Sequence, residues 1–180
     1  MKKKNFITGL RALMIFATVA MLGCNDEDDL PGLDRPGVAP EVSFTALVEG
    51  NRIAMFEARS LGSAMEIKNI SGLASGESII SIDFRPATGQ LYGLGTSSRL
   101  YIINENTGEA TALGEASFSP AISGANASID FNPTVDRIRL VTETGQNLRL
   151  HPELGTVVAT DGNINGGLNP RIGAVAYPNS

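Results

Sequence analysis

The sequence has no tryptophan, one cysteine and one histidine. With Cys24 alone, no disulfide can form within the chain. His151, placed before Pro152 at a turn signal, leaves a zinc centre without the histidine or cysteine set that such sites draw on. A Ser-His-Asp relay also lacks support, because Ser78 and Ser81 sit in no Gly-x-Ser-x-Gly phrase. Beyond Lys4 the only lysine is Lys68, and the net charge is −5. No basic stripe forms, so nucleic acid is not an expected partner. No window carries a sustained helical apolar period, and phrases such as Gly93-Leu-Gly95 are too short and too β-like for a phosphate loop.

Long apolar runs are missing too. The longest, Ala12–Leu22, falls short of the roughly 20 residues a membrane-spanning helix needs. It follows Lys2, Lys3, Lys4 and Arg11 and leads directly into Gly23-Cys24, the layout of a secretory signal. Met21-Leu22-Gly23-Cys24 resembles a bacterial lipobox, with Met21 where that pattern prefers Leu. The resemblance implies cleavage before Cys24 and acylation of its thiol and amine, and several acyl chains together give stable anchoring. The alternative is an ordinary secretory signal with an incidental cysteine. A catalytic role for Cys24 has no cationic neighbour to lower its pKa. The run Asp26-Glu-Asp-Asp29 repels itself and stays hydrated. It resembles the surface-export signal of lipoproteins in Bacteroidetes-type bacteria, with a periplasmic spacer as the alternative. Pro31, Gly32, Pro36, Gly37 and Pro40 give the following stretch a linker composition. The expected organisation is a signal peptide at 1–23, a tether at 24–40 and one folded domain at 41–180, in an outer-membrane lipoprotein of the bacterial envelope, with the cell surface and the periplasm both open as the side it faces.

What the chain does have is a repeat. Ser81-Ile-Asp-Phe-Arg-Pro86 returns as Ser128-Ile-Asp-Phe-Asn-Pro133, which sets Asp83 and Asp130 47 residues apart. Around the first copy lie Ile79–Phe84, Gln90–Gly95, Arg99–Ile103 and Glu109–Leu113, short β-like runs separated by turn signals. Ile138–Val141 and Leu148–Leu150 match the second and third of these. Arg52-Ile53 belongs to a fainter earlier copy, and Val175-Ala-Tyr-Pro178 reads as the opening of a later one. Four strands per unit of this length predict an all-β, β-propeller-like stack. Two whole and two partial units are fewer than the four to eight a propeller closes with. The stack is therefore expected to be incomplete or open, with unpaired edges through which the chain would form oligomers.

The phrases Phe44-Thr-Ala-Leu47, Ile70-Ser-Gly-Leu73, Ile82–Tyr92, Asp130–Arg139 and Gly145-Gln-Asn-Leu-Arg149 are similar to those of the bacterial domain-of-unknown-function family 4394. The resemblance runs through residues 44–180. It implies a secreted or surface-associated protein and is silent on any reaction. Members continue past the Ala176-Tyr177 phrase with further repeats, so the resemblance also implies an incomplete domain.

Three constellations are candidates for chemistry. Asp83 and Asp130 are either paired rim carboxylates of a metal-dependent extracytoplasmic hydrolase or acceptors for backbone amides in the turns before Pro86 and Pro133. Their recurrence favours the structural role, since a catalytic site needs residues that differ. Asp161-Gly-Asn163-Ile-Asn165-Gly166 matches the first half of a Ca²⁺ loop, but Ile172 stands where a bidentate glutamate belongs. The alternative is a polar connection between units. Arg137 and Arg139 share one face of a strand and offer a strip for an anionic or glycan ligand, unless acids such as Asp136 or Glu143 pair with them. No residue is assigned a catalytic role. The reading favours an envelope lipoprotein with a protein- or glycan-binding or scaffold module. The enzyme is its rival, and a truncated product without independent function is the third reading.

Overall fold

The computed structural model describes residues 39–49, 51–164 and 171–178. The expected signal peptide, most of the tether and Cys24 lie outside them, as does Asn165. Among the described residues there are eleven strands and no helix. β1 (Ser43–Val48), β2 (Arg52–Glu57) and β3 (Glu66–Asn69) form sheet I. β4 (Ile79–Phe84), β5 (Leu91–Gly95), β6 (Arg99–Ile103) and β7 (Ala110–Ala112) form sheet II. β8 (Ala127–Asn132), β9 (Arg137–Thr142), β10 (Asn147–Leu150) and β11 (Val157–Thr160) form sheet III. Every pairing within a sheet is antiparallel between sequence neighbours. No sheet closes on itself. The expected four strands are present in sheets II and III, whereas sheet I has three.

The repeat is visible in the backbone. Asn51, Ser98 and Gly145, each 47 residues from the next, turn the β1–β2, β5–β6 and β9–β10 hairpins at φ of 53°, 64° and 88°. This left-handed geometry suits Gly and Asn and is uncommon for Ser. Ser98 is held there by use: its hydroxyl accepts from the Ile122 amide at 2.9 Å. The carbonyls of the same three residues accept from the amides of Ile70, Phe118 and Ile164 at 2.7, 2.8 and 3.0 Å. Each hairpin thus grips the segment that follows its own sheet.

Alternation of side chains across β5 explains the core. Leu91 points to one face of sheet II and packs with Ile53, Ile70, Ile79, Tyr101 and Ile103 against sheet I. Tyr92 and Leu94 point to the other, packing with Leu100, Phe131, Ile138, Leu140, Leu148 and Leu150 against sheet III. Tyr92 meets Phe131 edge-on at 5.0 Å between ring centroids, a preferred aromatic geometry. β5 is therefore apolar on both faces, and each seam has its own core.

Candidate functional site

β4 and β8 lie side by side at the seam between sheets II and III, and the recurring serine and aspartate join them. Ser81 Oγ accepts from the Ile129 amide at 3.1 Å, and Asp83 Oδ2 accepts from the Phe131 amide at 2.7 Å. The next step repeats the first. Ser128 Oγ accepts from Val175 at 3.4 Å, and Asp130 Oδ2 accepts from Tyr177 at 2.7 Å. Residues two apart on a strand share a face, so Ser-x-Asp presents two acceptors to alternate amides on the edge of the following strand, the edge that β9 leaves open for β8. Both aspartates bond amides as the structural reading expects. The location differs: the amides belong to the next unit, not to the turns at Pro86 and Pro133. Val175–Pro178, read from sequence as the opening of a later copy, forms no strand among the described residues but is held by the same kind of Ser-x-Asp pair as β8.

Burial pushes the Asp83 carboxyl above the usual range. The Phe131 amide opposes this, and the neighbouring Asp130 charge adds to it. Burial likewise raises Asp130, against the Tyr177 amide and a hydrogen bond with Asp83. A raised native pKa means that the folded chain holds its proton longer than the unfolded one. Stability on this account falls as pH rises from the unfolded value, about 3.9, through the native one. Asp83→Asn keeps an oxygen for Phe131 and offers an amide to Asp130. It should melt no lower than the parent at pH 7 and lose part of that pH dependence. Asp83→Ala orphans the Phe131 amide and should cost on the order of 1–3 kcal/mol. Thermal melts from pH 4 to 8 compare them; an asparagine variant as damaged as the alanine one would refute the acceptor role.

The far face of sheet III holds the arginines. Arg139 donates to Tyr177 Oη at 3.1 Å, to Asn147 Oδ1 at 2.7 Å and to Asp161 Oδ2. Arg149 takes the other Asp161 oxygen at 2.9 Å. These two guanidinium groups, Arg139 first, hold the Asp161 carboxyl below its ordinary value. Asp161, a Ca²⁺-ligand candidate, thus spends both oxygens on cations, and Asn163 follows it in irregular backbone. Among the described residues no three of His, Cys, Asp and Glu converge as metal ligands. Arg137 shares the face of Arg139 but, among the described residues, its side chain bonds only the Asp136 carbonyl, at 2.8 Å. Neither acid suggested as a partner for Arg137 and Arg139 serves them through its carboxylate: Glu143 pairs with Arg171 at 3.3 Å and Asp136 with Arg85.

Arg85 was not singled out from sequence as a site residue. It leaves the end of β4 and crosses to sheet III, its side chain 9% exposed. Both Asp136 oxygens accept from it, the contact to Oδ1 being 2.9 Å, and Glu153 stands at 3.3 Å. Hydrogen bonding to Asp136 holds the guanidinium above its ordinary pKa and Asp136 below its own. Glu77, also unflagged, is 7% exposed. It accepts from the Ser97 amide at 2.8 Å, Thr96 Oγ1 at 2.9 Å, Tyr101 Oη at 3.3 Å and the Ser97 hydroxyl. Burial pushes its carboxyl up, and the Ser97, Thr96 and Tyr101 bonds together bring it below the usual value. No sequence period marks either residue, since Asn132 and Gly124 stand in their places one unit later. His151 lies at the β10–β11 turn, where its Nδ1 accepts from the Glu153 amide at 3.2 Å.

Taken together, the seam carboxylates and guanidinium groups are bonded to backbone or to each other across sheets. A comparison with curated proteins finds no match. A family model described as "Domain of unknown function (DUF4394)" matches residues 52–180, which takes in sheets II and III whole and sheet I from the start of β2. The chain belongs to the DUF4394 family.

Proposed function

We propose that this chain is a lipoprotein of the bacterial cell envelope, anchored through acylated Cys24, whose sheets form a propeller-like stack serving as a binding or scaffold module for a protein or glycan. The single observation that carries the non-catalytic part is the use made of the polar side chains. Asp83, Asp130 and Arg85 each spend their hydrogen bonds on holding one sheet or segment to the next, and Asp161 spends its own on Arg139 and Arg149 within sheet III. A catalytic group must keep a reactive atom within reach of substrate. The anchor rests on the charged start, the short apolar run and the Gly23-Cys24 step. The acids after Cys24 support exposure at the outer surface. Feeding an alkyne fatty acid to a bacterial host that expresses the full chain should label it, and Cys24→Ala should abolish the label. Equal labelling of both would reject the anchor.

The hydrolase reading keeps one feature in its favour: Asp83 and Asp130 are neighbours whose charges interact, the Asp130 charge helping to raise the Asp83 carboxyl after burial, and such coupling suits paired carboxylates. A divalent cation there, or Ca²⁺ at Asp161, Asn163 and Asn165, would stabilise the fold by binding it. Equal melting temperatures in Ca²⁺ and in EDTA would dismiss the Ca²⁺ loop.

A further inference from the structure

The two seams of the stack use the same positions but not the same residues. In the seam between sheets II and III, Tyr92 meets Phe131 edge-on. Ile102 and Leu113 pack beside them, and Pro152 is fully buried. Counting back 47 residues puts Thr45, Phe84, Met55 and Glu105 in the places of Tyr92, Phe131, Ile102 and Pro152. Lys68, opposite Ile53, takes the place of Leu113, whose amide bonds the Leu100 carbonyl. These residues face the seam between sheets I and II. Thr45 stands opposite Met55, two residues on from Ile53, which packs against sheet II, and residues two apart share a face. Phe84, on β4, packs against the same cluster as Ile53. One aromatic ring is thus kept while its partner ring is deleted, and three apolar positions have become Thr45, Lys68 and Glu105.

The deletion leaves a hollow. A recess of about 130 Å³, open to the surface, is lined by Ser43, Phe44, Thr45, Met55, Phe84 and Glu105. A smaller cavity of about 10 Å³ shares Thr45, Met55 and Glu105 with it and reaches Glu66 and Lys68. An apolar cavity of about 150 Å³ holds benzene, so the recess has room for one six-membered ring. Its walls indicate which kind. Phe84 and Met55 offer an apolar side. Thr45 Oγ1 donates to Glu105 Oε1 at 2.5 Å, and the other Glu105 oxygen has no hydrogen bond among the described residues. The Lys68 ammonium pairs with Glu66 and keeps protons to donate. With an ammonium and carboxylates on one rim, neither a cation nor an anion is favoured. A saturated ring that carries hydroxyls suits both sides. Its C–H face can lie on the negative face of the phenyl ring, while its hydroxyls donate to Glu105 and accept from Lys68. An apolar wall with a few convergent polar groups is the usual make-up of a small-ligand site.

We propose that the seam between sheets I and II binds one neutral pyranose ring of a glycan, stacked on Phe84 and hydrogen-bonded to Glu105 and Lys68. This rests on the binding-module reading and narrows the ligand of that module to a sugar. The hollow comes from residues that differ between the two seams, Thr45 for Tyr92 above all.

Saturation-transfer NMR tests the site on the full chain, purified from its bacterial host in a sugar-free detergent, with glucose, galactose, mannose and N-acetylglucosamine as probes. At least one of them should receive saturation, most strongly at the protons of one ring face. Thr45→Tyr restores the ring that the other seam carries. It should abolish the transfer while the melting temperature stays at or above that of the parent, because the added ring fills the hollow. Glu105→Gln keeps the shape of the recess and removes the charge. It should weaken binding about tenfold, since hydrogen bonds to an ionised acceptor are roughly twice as strong as neutral ones. Transfer that survives Thr45→Tyr unchanged would place the sugar elsewhere, overturning this site while a glycan-binding module stands. If Thr45→Tyr melts early, Glu105→Gln decides alone, and an unchanged affinity would overturn the site. No transfer to any of these sugars would overturn the sugar as ligand, and the module reading would then rest on a protein partner.

Discussion

A Leu140→Ala chain is expected to lose about 2–5 kcal/mol of stability. Leu140 is fully buried in β9, opposite Ile129 and Leu148. It belongs to the cluster that includes Tyr92, Leu94 and Leu100 of sheet II. The strand pairs on both of its sides are fixed by backbone hydrogen bonds, so the surroundings have little freedom to collapse into the space vacated. For a domain of this size each kcal/mol moves the melting temperature by about 2–4 °C, so a drop of at least several degrees should be seen by calorimetry. Leu154→Ala is the matched control. Leu154 is 57% exposed, and its loss should stay within about 0.5 kcal/mol. Similar losses at the two positions would mean that the seam between sheets II and III is not the core.

Arg85→Ala is expected to cost about 2–3 kcal/mol. Removing one partner of a buried ion pair typically costs about 3–5 kcal/mol, because the other charge is left uncompensated. Here the Asp136 side chain is 33% exposed, so water recovers part of the loss. Asp136 is held below its ordinary pKa chiefly by its hydrogen bonds to Arg85. A depressed carboxylate contributes stability that is present above its unfolded value, about 3.9, and is lost as pH falls through the native one. The gap between parent and variant should therefore be full at pH 7 and narrow below about pH 4. Denaturant titrations at the two pH values check this; a gap that widens in acid would rule out the ion pair as its source. Arg85→Lys should recover only part of the loss, since an ammonium group cannot fork to both Asp136 oxygens.

The strands were legible because their apolar residues are branched and their boundaries are punctuated. Ile79–Phe84 and Arg99–Ile103 appear in the structure with the limits read from sequence. The period of 47 was equally plain, because a repeated backbone turn demands repeated residue types at positions such as Gly108 and Gly155. Arg85 and Glu77 were harder to see. Each acts through a partner distant in sequence, 51 residues away for Arg85 and Asp136 and 20 for Glu77 and Ser97, and neither partner recurs. The role of Asp83 was half legible. An aspartate two residues after a serine and three before a proline suggests an amide acceptor, but sequence reasoning supplied the nearest turn. The true partner lies 48 residues on, in a strand whose proximity follows only once sheets II and III pack together. The arginine face was legible as a face, because alternation places Arg137 and Arg139 together. Its partner Asp161 was not, since that requires knowing where the chain runs after β11.

The Ser-x-Asp pairs also give assembly a direction. Ser81 and Asp83 offer acceptors only to a strand made later in synthesis, and Ser128 and Asp130 do the same for the segment after sheet III. Sheets II and III are thus each a template for the segment still emerging, and a chain that folds from its N-terminus as it is made meets these two docking sites already built. The amides capped in this way are also withheld from stray strands of other proteins, so the device that orders folding also guards the growing edge.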